Sequence, residues 1–410
     1  MPVFTADWVL PMTGEPMRRA SISIDNGRII AVDAQPAGDA RDLGSVAIMP
    51  ALVNAHTHLE LSYLRGKVPP TEKFLDWIGT IMSTRRQYPD AADPRILDAA
   101  RTAIADARAC GTGLFGDISN TLVTVPLLRD ASMPAQVFYE LLKFNAPDAD
   151  GIVRDARARA DAAESGPGRR GPFGSAQPDI RISLAAHAPY SVSPKLFTAI
   201  RADLDAHGDT VSSVHLGESP EEMEFIKKGT GPWRALLEQL GVWSDQWQAP
   251  GTSPVEYLER VGFLDRRVIV VHGVQFDGDD LDRLRSRQMT IVSCPRSNQH
   301  VGVGPPPLEA FYAMDVAVAF GTDSLASAPD LNLFSELAEA RRLAPRVPAR
   351  ALLESATRRG AWALGFGAEL GTIEPGKRAQ LISVRVPAGV DDVEEYLVSG
   401  VEPPAIEWVN

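Results

Sequence analysis

The chain has little cysteine and no long apolar run. Of its 410 residues only Cys110 and Cys294 are cysteines, too few for a disulfide framework, and neither lies in a Cys-x-x-Cys zinc spacing. No stretch of about 18 consecutive apolar residues occurs. The first residues, MPVFTADWVLPMTGEPM, show no basic segment followed by an apolar signal region. We therefore expect a protein of a reducing compartment, the cytoplasm, that is neither secreted nor inserted in a membrane.

Basic residues are outnumbered in this sequence. There are 41 Lys and Arg against 53 Asp and Glu, for a formal net charge of −12. This balance opposes nonspecific attraction to nucleic acid and to anionic lipid. Hydrophobic residues make up 44% of the chain, enough for a large buried core. We expect a small-molecule partner rather than nucleic acid or a membrane, and homo-oligomerisation stays open.

Both ends of the chain are rich in predicted strands. Residues 20–24 alternate in polarity, Asp25-Asn26-Gly27-Arg28 is typical of a tight turn, and an apolar run resumes at 29–32. A second turn-and-strand pattern occupies residues 371–384. We predict that residues 1–49 and 366–410 form one small β-sandwich domain.

Between the two ends, apolar runs alternate with helical segments, which is typical of βα units around a parallel sheet. Strands are predicted at 52–56, 113–118, 135–141, 180–187, 210–215, 268–272, 290–294 and 316–320. Eight strands are the number that a closed (β/α)8 barrel needs. The predicted fold class is therefore α/β, a TIM-like (β/α)8 barrel over residues 50–365.

Two insertions interrupt the alternation. Residues 165–179 are rich in Gly, Pro and Arg and precede a strand, which predicts a solvated loop at the N-terminal face of the barrel. Residues 219–264 follow a strand and carry Trp233, Trp243 and Trp247. This second insertion should overhang the C-terminal face, where barrel enzymes bind substrate.

Four histidines end predicted strands, and each alone is more typical of a buried structural residue. His56 and His58, however, follow the first barrel strand two residues apart, so both side chains point to the same face. With His215 and Asp323 at two further strand ends they offer three nitrogens and a carboxylate, a ligand set that suits zinc. Glu218 lies close enough to protonate a leaving or ring nitrogen, and His272 close enough to orient an attacking hydroxide.

The chain carries a series of ordered motifs: HTH at 56–58, LRG at 64–66, HAPYS at 187–191, HLGE at 215–218, HG at 272–273, CPRSN at 294–298 and GTDS at 321–324. Together they resemble the amidohydrolase superfamily, and more narrowly its branch of mononuclear aminohydrolases. The segments DNGRI at 25–29 and GTIEPGKRA at 371–379 look like the small β-sandwich of these proteins. The resemblance covers nearly the whole chain.

The resemblance implies a role for each matching position. His56, His58, His215 and Asp323 would bind the metal, Glu218 and Asp323 would move protons, and His272 would position the water. The implied reaction is attack of hydroxide on an amidine-type carbon, followed by release of ammonia. His187 would touch substrate.

Binuclear relatives carry a carboxylated lysine at the end of the fourth strand, where this chain has Ala185-Ala186-His187-Ala188. One divalent ion is therefore predicted, zinc, with Fe²⁺ as the alternative.

Further segments narrow the branch: FLDWI at 74–78, GDISN at 116–120, GPWR at 231–234, CPRSNQH at 294–300 and DSLAS at 323–327. They resemble aminodeoxyfutalosine deaminases, which remove the 6-amino group of an adenine nucleoside with a carboxylated aromatic ketone at its 5′ end. Tryptophan rings would suit stacking on both aromatic ends of such a substrate, and a guanidinium would suit its carboxylate. The candidate contacts are Trp77, Trp233 and Trp243 for stacking, Arg65, Arg86 and Arg296 for the carboxylate, and Glu140 for a ribose hydroxyl or for pairing with Lys143.

One departure weakens an assignment to adenosylhomocysteine or methylthioadenosine deaminases. Those enzymes carry a ribose-binding glutamate after HxH, and the matching stretch here offers only Asp76. A hydrolase of another aminated heterocycle, an amide or a carbon–halogen bond stays an alternative, because the same chemistry serves all of them. A non-catalytic binding protein on the same fold is disfavoured, because every expected metal-site position is present.

Overall fold

The computed structural model describes residues 2–35, 37–166 and 179–409. Most of the predicted loop 165–179 therefore lies outside the described residues. The strands are β1 (Val3–Thr5), β2 (Trp8–Val9), β3 (Met17–Arg18), β4 (Ser21–Asp25), β5 (Arg28–Asp33), β6 (Arg41–Asp42), β7 (Val46–Pro50), β8 (Leu52–Thr57), β9 (Thr112–Ser119), β10 (Ala135–Leu141), β11 (Ile180–Ala186), β12 (Ser212–Leu216), β13 (Val268–His272), β14 (Thr290–Ser293), β15 (Ala317–Phe320), β16 (Leu381–Arg385) and β17 (Ile406–Trp408).

Helices occupy most of the connections between these strands. They are α1 (Phe74–Arg85), α2 (Pro94–Ala109), α3 (Thr124–Asp130), α4 (Ala149–Glu164), α5 (Pro194–Ala206), α6 (Pro220–Lys228), α7 (Pro232–Gln239), α8 (Pro254–Arg260), α9 (Gly278–Ser286), α10 (Pro295–His300), α11 (Leu308–Ala313), α12 (Leu333–Leu343), α13 (Ala349–Ser355), α14 (Arg358–Ala363) and α15 (Val393–Val398), with 3₁₀ turns at Leu59–Leu64 and Pro403–Ala405.

The strands β8 to β15 form two four-stranded parallel sheets, ordered β11-β10-β9-β8 and β12-β13-β14-β15. Each predicted strand of this region is present, and its ends differ from the prediction by no more than two residues. The strands are apolar runs such as Val-Ile-Val-Val in β13, buried along their whole length, as parallel strands covered on both faces are. The predicted α/β class is confirmed.

Backbone hydrogen bonds link the outer strands of one sheet to those of the other. The His215 N–H donates to the His187 carbonyl at 2.8 Å, and the Thr322 N–H donates to the His56 carbonyl at 3.1 Å. Because all eight strands run in the same direction, their C-terminal ends lie at one end of this region. Both junctions place histidines there.

The chain ends form two further sheets, ordered β5-β4-β1-β6 and β17-β16-β7-β2-β3. In the second, β16 from the end of the chain pairs antiparallel with β7 from its beginning. The predicted turn joins β4 to β5, with Asn26 and Gly27 at φ 46° and 73°, the left-handed conformation that a two-residue hairpin turn needs. Apolar side chains from both sheets, including Phe4, Ile22 and Ile48, share one buried cluster.

None of the helices in the described part of the chain combines the length and the apolar character needed to cross a bilayer.

Candidate metal centre and active-site cavity

The strand ends bring four histidines and an aspartate together. The ring centroid of His56 lies 5.0 Å from those of His58 and His215, and that of His272 lies 5.5 Å from His215. The Asp323 Oδ1 atom lies 3.5 Å from His58 Nε2 and 3.9 Å from His56 Nε2. Ligand atoms on a tetrahedral zinc are separated by about 3.4 Å when each bond is about 2.1 Å. The cluster therefore has nearly the spacing of a bound-metal shell.

His56 gives the strongest indication of a metal ligand. Its side chain is completely buried, and neither ring nitrogen has a hydrogen-bond partner among the described residues. An imidazole buried without partners is costly, and coordination to a cation removes that cost. Burial and the neighbouring histidines hold the pKa of His56 well below its usual range, and burial lowers the pKa of His58 to about 3. Both rings are thus neutral, as metal ligation requires. The donor set fits zinc.

The surroundings orient the other two candidate ligands. The Nδ1 atom of His215 lies 3.0 Å from the His187 carbonyl and 3.4 Å from Glu140 Oε1, which leaves Nε2 to act as the ligand atom. The Asp323 carboxylate accepts hydrogen bonds from Ser297 Oγ at 2.6 Å and from the Ser324 N–H at 2.8 Å. Burial opposes its charge, but His58, His272 and Ser297 together hold its pKa below the usual value. Asp323 is therefore a carboxylate.

A second group of three possible ligands, Glu140, His187 and His215, lies beside the first. It shares His215 with the first group. One imidazole serves two ions only when both of its nitrogens are deprotonated, so the geometry favours a single ion.

Glu218 and His272 form a pair next to the cluster. The Glu218 Oε1 atom lies 3.5 Å from His272 Nε2, and both side chains are buried. Burial, followed by the charges of Asp323 and Glu222, raises the pKa of Glu218 well above its usual value. A raised pKa favours the protonated carboxyl, which can act as a proton donor. The Asn298 amide lies 3.0 Å from His272 Nδ1 and fixes the ring.

Two of these residues adopt left-handed backbone conformations, with φ 78° for His272 and 57° for Asp323. Non-glycine residues rarely occupy this region, and they do so mainly where function requires it. The conformation aims both side chains into the same space.

A cavity of about 500 Å³ opens from Glu218 and His272 toward solvent. One wall is polar, with Arg85, Asn120, Glu140 and His187. The remaining lining is mainly apolar and comes largely from α1 and the segment after β12: Phe74, Trp77, Ile78, Ile81, Met82, Trp233, Leu236, Leu237, Leu240 and Val242. The predicted overhang of residues 219–264 thus contributes to the cavity.

The predicted tryptophans differ in position. Trp77 and Trp233 line the cavity. Trp233 is stacked on Tyr190 with ring centroids 3.7 Å apart, so one of its faces is already covered. Trp243 does not line the cavity, and it stacks on Phe144, which does.

The arginines chosen from the sequence do not face the cavity. Arg65 pairs with Asp106 at 3.1 Å, Arg296 pairs with Asp330 at 2.9 Å, and neither Arg65, Arg86 nor Arg296 belongs to the lining. The structure therefore does not bring Arg65 and Arg296 into the cavity lining, and their role in substrate binding stays a prediction. A sequence shows a charge without showing the carboxylate that a distant segment brings to it.

The cavity instead contains Arg85, which sequence analysis missed by one position. One residue turns a side chain by about 100° around a helix, so Arg85 and Arg86 point in different directions. Arg85 donates to Asn120 Oδ1 at 3.3 Å. The pKa of His187 is lowered to about 4, mainly by burial of its ring and also by the positive charge of Arg85. A signal was available, because Trp77, Ile81 and Arg85 are spaced by four along α1 and form one stripe.

Glu140 pairs with Asn120 and lines the cavity. It accepts a hydrogen bond from Asn120 Nδ2 at 2.8 Å and lies beside His215. Its side chain lines the cavity rather than pairing with Lys143, which lies exposed at the cavity mouth.

Comparison with known proteins supports this description. A family model described as "Amidohydrolase family" matches residues 47–401. The aminodeoxyfutalosine deaminase of Deinococcus radiodurans is 30% identical over 341 residues, which cover 80% of this chain and 75% of the relative. The 5-methylthioadenosine/S-adenosylhomocysteine deaminase of Halobacterium salinarum is 32% identical over 372 residues, covering 88% and 78%. The crystal structure of a zinc-bound adenosine deaminase from Xanthomonas campestris superposes with a TM-score of 0.81 at 26% identity, covering 98% of this chain and 90% of that one.

Proposed function

Since the chain belongs to the amidohydrolase family and is a hydrolytic deaminase of carbon–nitrogen bonds, we propose that it deaminates an adenine-type nucleoside, with aminodeoxyfutalosine as the substrate. The observation that carries the proposal is the pair of Glu218 and His272, 3.5 Å apart, beside a neutral histidine cluster at the floor of a cavity large enough for a nucleoside. Relatives that carry the names of adenine-nucleoside deaminases support the same substrate class.

The metal has a defined place in this proposal. His56, His58, His215 and Asp323 would hold one divalent ion, zinc or alternatively Fe²⁺, which when bound supplies Lewis-acid activation of water at neutral pH. The zinc named for the Xanthomonas campestris structure supports zinc.

The side chains around the ion then divide the proton transfers. Glu218 keeps a proton on its buried carboxyl and donates it to the ring nitrogen beside the carbon that carries the amino group. His272, fixed by Asn298, orients the attacking water. Asp323 accepts the first proton that this water loses and returns it to the departing amine. The second proton leaves the new hydroxyl as the carbonyl forms and reprotonates Glu218. The net change adds one water, replaces the amino group by a carbonyl oxygen and releases ammonia.

The outer part of the cavity supports a substrate with an apolar, anionic arm. Leu142, Leu240 and Val242 all line the cavity and are 48%, 41% and 36% exposed. Exposed apolar residues grouped in one place are typical of a binding site. The cations Arg85 and Lys143 lie in the same lining. A carboxylated aromatic arm fits this combination, whereas the arms of methylthioadenosine and 5′-deoxyadenosine are uncharged.

We assign the remaining contacts to the polar wall and to Trp233 of the apolar lining. His187 and Glu140 would bind the nucleoside, with Glu140 oriented toward a ribose hydroxyl by Asn120. Trp233 would contact the ligand through the face that Tyr190 leaves open.

We also propose that the two parallel sheets form one closed (β/α)8 barrel over residues 50–365, closed against a β-sandwich of residues 1–49 and 366–410. The backbone hydrogen bonds between the sheet edges and the pairing of β7 with β16 support this division. A place in the alternative menaquinone route follows from the proposed substrate. The cytoplasmic location stays a prediction.

A substrate panel tests the function. Zinc-loaded protein is incubated with aminodeoxyfutalosine, methylthioadenosine and 5′-deoxyadenosine, while ammonia and the adenine absorbance are followed. We expect ammonia release fastest from aminodeoxyfutalosine. In the variant Glu218→Gln, turnover should fall by about 10²–10⁴-fold with unchanged zinc content, because the proton donor is lost while the ligands stay. Absence of ammonia from every adenine nucleoside would refute the proposal.

A further inference from the structure

Glu222 is a buried carboxylate in the first turn of α6 and has no part in the reaction described above. Its side chain is completely buried. Its Oε1 atom accepts a hydrogen bond from the Gly217 N–H at 3.0 Å, and its Oε2 atom accepts one from the Glu218 N–H, also at 3.0 Å. The two carboxylate oxygens thus hold two consecutive peptide groups, and the second belongs to Glu218.

This arrangement departs from ordinary helix capping. Ser219 is the N-cap of α6 and accepts from the Glu222 N–H at 3.2 Å. In a capping box, the glutamate three residues after the cap accepts in return from the N–H of the cap residue itself. Here the carboxylate passes Ser219 and reaches the two residues before it. Glu222 therefore holds the turn that precedes the helix rather than the first residue of the helix.

The same turn is anchored on its other side by the segment after β13. The Gly217 carbonyl accepts from the Gln275 N–H at 2.8 Å. Gly217 has φ 63°, and a Cβ atom at this position would lie 2.3 Å from the ring of Phe276. His272 ends β13 just before this segment and faces Glu218. The turn thus connects the two side chains of the pair through the backbone.

We infer that Glu222 is a positioning residue that holds the Glu218 turn against the His272 segment, so that the Glu218 carboxyl stays at a fixed distance from the reacting atoms. Proton donation depends on such placement, since a displacement of about 1 Å can lower the rate by about 10²-fold. The inference rests on the proposed deaminase function, because it assigns Glu222 to the placement of that reaction's proton donor.

The variant Glu222→Gln tests this assignment. A glutamine has one acceptor oxygen, so its NH₂ group would oppose one of the two backbone N–H groups that the carboxylate now holds. We expect kcat to fall by at least about tenfold while KM changes less than about threefold, since the substrate contacts are untouched. Zinc content should not change. Independently of activity, hydrogen exchange of the Gly217 and Glu218 amides should become faster.

Two control variants separate positioning from general structural damage. Glu336→Gln replaces another completely buried glutamate that accepts a backbone N–H, that of Arg296 at 3.2 Å, and that does not line the cavity. Ser219→Ala removes the N-cap of α6 but leaves both bonds of Glu222 in place. Ser219→Ala should lower the melting temperature, and both controls should leave kcat within about threefold of the parent.

The outcomes are distinct. If the parent protein deaminates an adenine nucleoside and Glu222→Gln leaves kcat and the two amide exchange rates unchanged, the positioning role is wrong. If Ser219→Ala reproduces the loss in kcat, Glu222 acts only through the start of the helix and the inference is likewise overturned. Suppose instead that Glu222→Gln speeds amide exchange at Gly217 and Glu218 but the parent protein deaminates no adenine nucleoside. Glu222 would then hold the turn as inferred, and the proposed function would be refuted.

Discussion

Replacing Arg85 by glutamine tests how the cavity recognises its substrate. Arg85 ends α1, lines the cavity and donates to Asn120. Its guanidinium lies 3.8 Å from Glu60 Oε1. That carboxylate already accepts hydrogen bonds from Ser119, Asn120 and Thr121. Arg85 therefore has donors left for a ligand, and the substitution removes its charge while keeping a shorter, polar side chain.

The size of the effect follows from the burial of the side chain. Hydrogen bonds to charged groups contribute about 1.5–3 kcal/mol. Because the Arg85 side chain is 39% exposed, water and salt screen part of this, and we take the lower half of the range, about 1.5–2 kcal/mol. This corresponds to a loss of about 10–30-fold in kcat/KM for a carboxylate-bearing nucleoside. Methylthioadenosine, which lacks the carboxylate, should lose less than about threefold.

The assay compares kcat/KM for aminodeoxyfutalosine and methylthioadenosine at low and high salt. Arg65→Gln is the matched control, because Arg65 pairs with Asp106 outside the cavity, and it should leave both substrates unaffected. Raising the salt concentration should reduce the preference of the parent protein for the anionic substrate and leave that of Arg85→Gln nearly constant. Equal losses on both substrates would refute the recognition of an anionic arm by Arg85.

Three further predictions concern the metal, the turn and a buried acid. Zinc at about 100 times its Kd should stabilise the metal-free protein by about 2.7 kcal/mol in thermal melts; His56→Asn should abolish this shift and His187→Asn should keep it, and the reverse pattern would disprove the ligand set. Gly217→Ala should lower the free energy of unfolding by about 1–3 kcal/mol more than Gly27→Ala, because both positions have positive φ but only the first meets Phe276; equal costs in denaturant titrations would contradict the contact. Burial raises the pKa of Glu336 to about 8 from 4.5, so between these pH values the folded state keeps a proton that the unfolded state loses. The free energy of unfolding should therefore fall as pH rises from about 4.5 to 8, by up to about 1.4 kcal/mol per pH unit. Glu336→Gln should lack this pH dependence, and parallel stability–pH profiles for the two proteins would exclude the contribution of Glu336.

Much of the fold could be predicted because its signals are local. The eight barrel-region strands are apolar runs that end in recognisable residues, and the βα order restricts them to parallel sheets. Period-two alternation places His56 and His58 on one face, and the strand ends collect His215, His272 and Asp323 at one edge. For this reason the candidate metal ligands could be chosen before any coordinates were known.

The remainder depends on residues that are distant in sequence. The sequence could not show that Asp106 and Asp330 pair with Arg65 and Arg296, or which face of α1 lines the cavity. Nor could it show that the Glu222 carboxylate passes its own helix cap to hold the Glu218 turn, since the SPEE segment predicts only a capping box. The periodicity and the order of the strands are thus determined by residues that are close in sequence. The partner of each charge, and therefore its use, is decided by tertiary packing, because it depends on which segments the fold brings within hydrogen-bond distance.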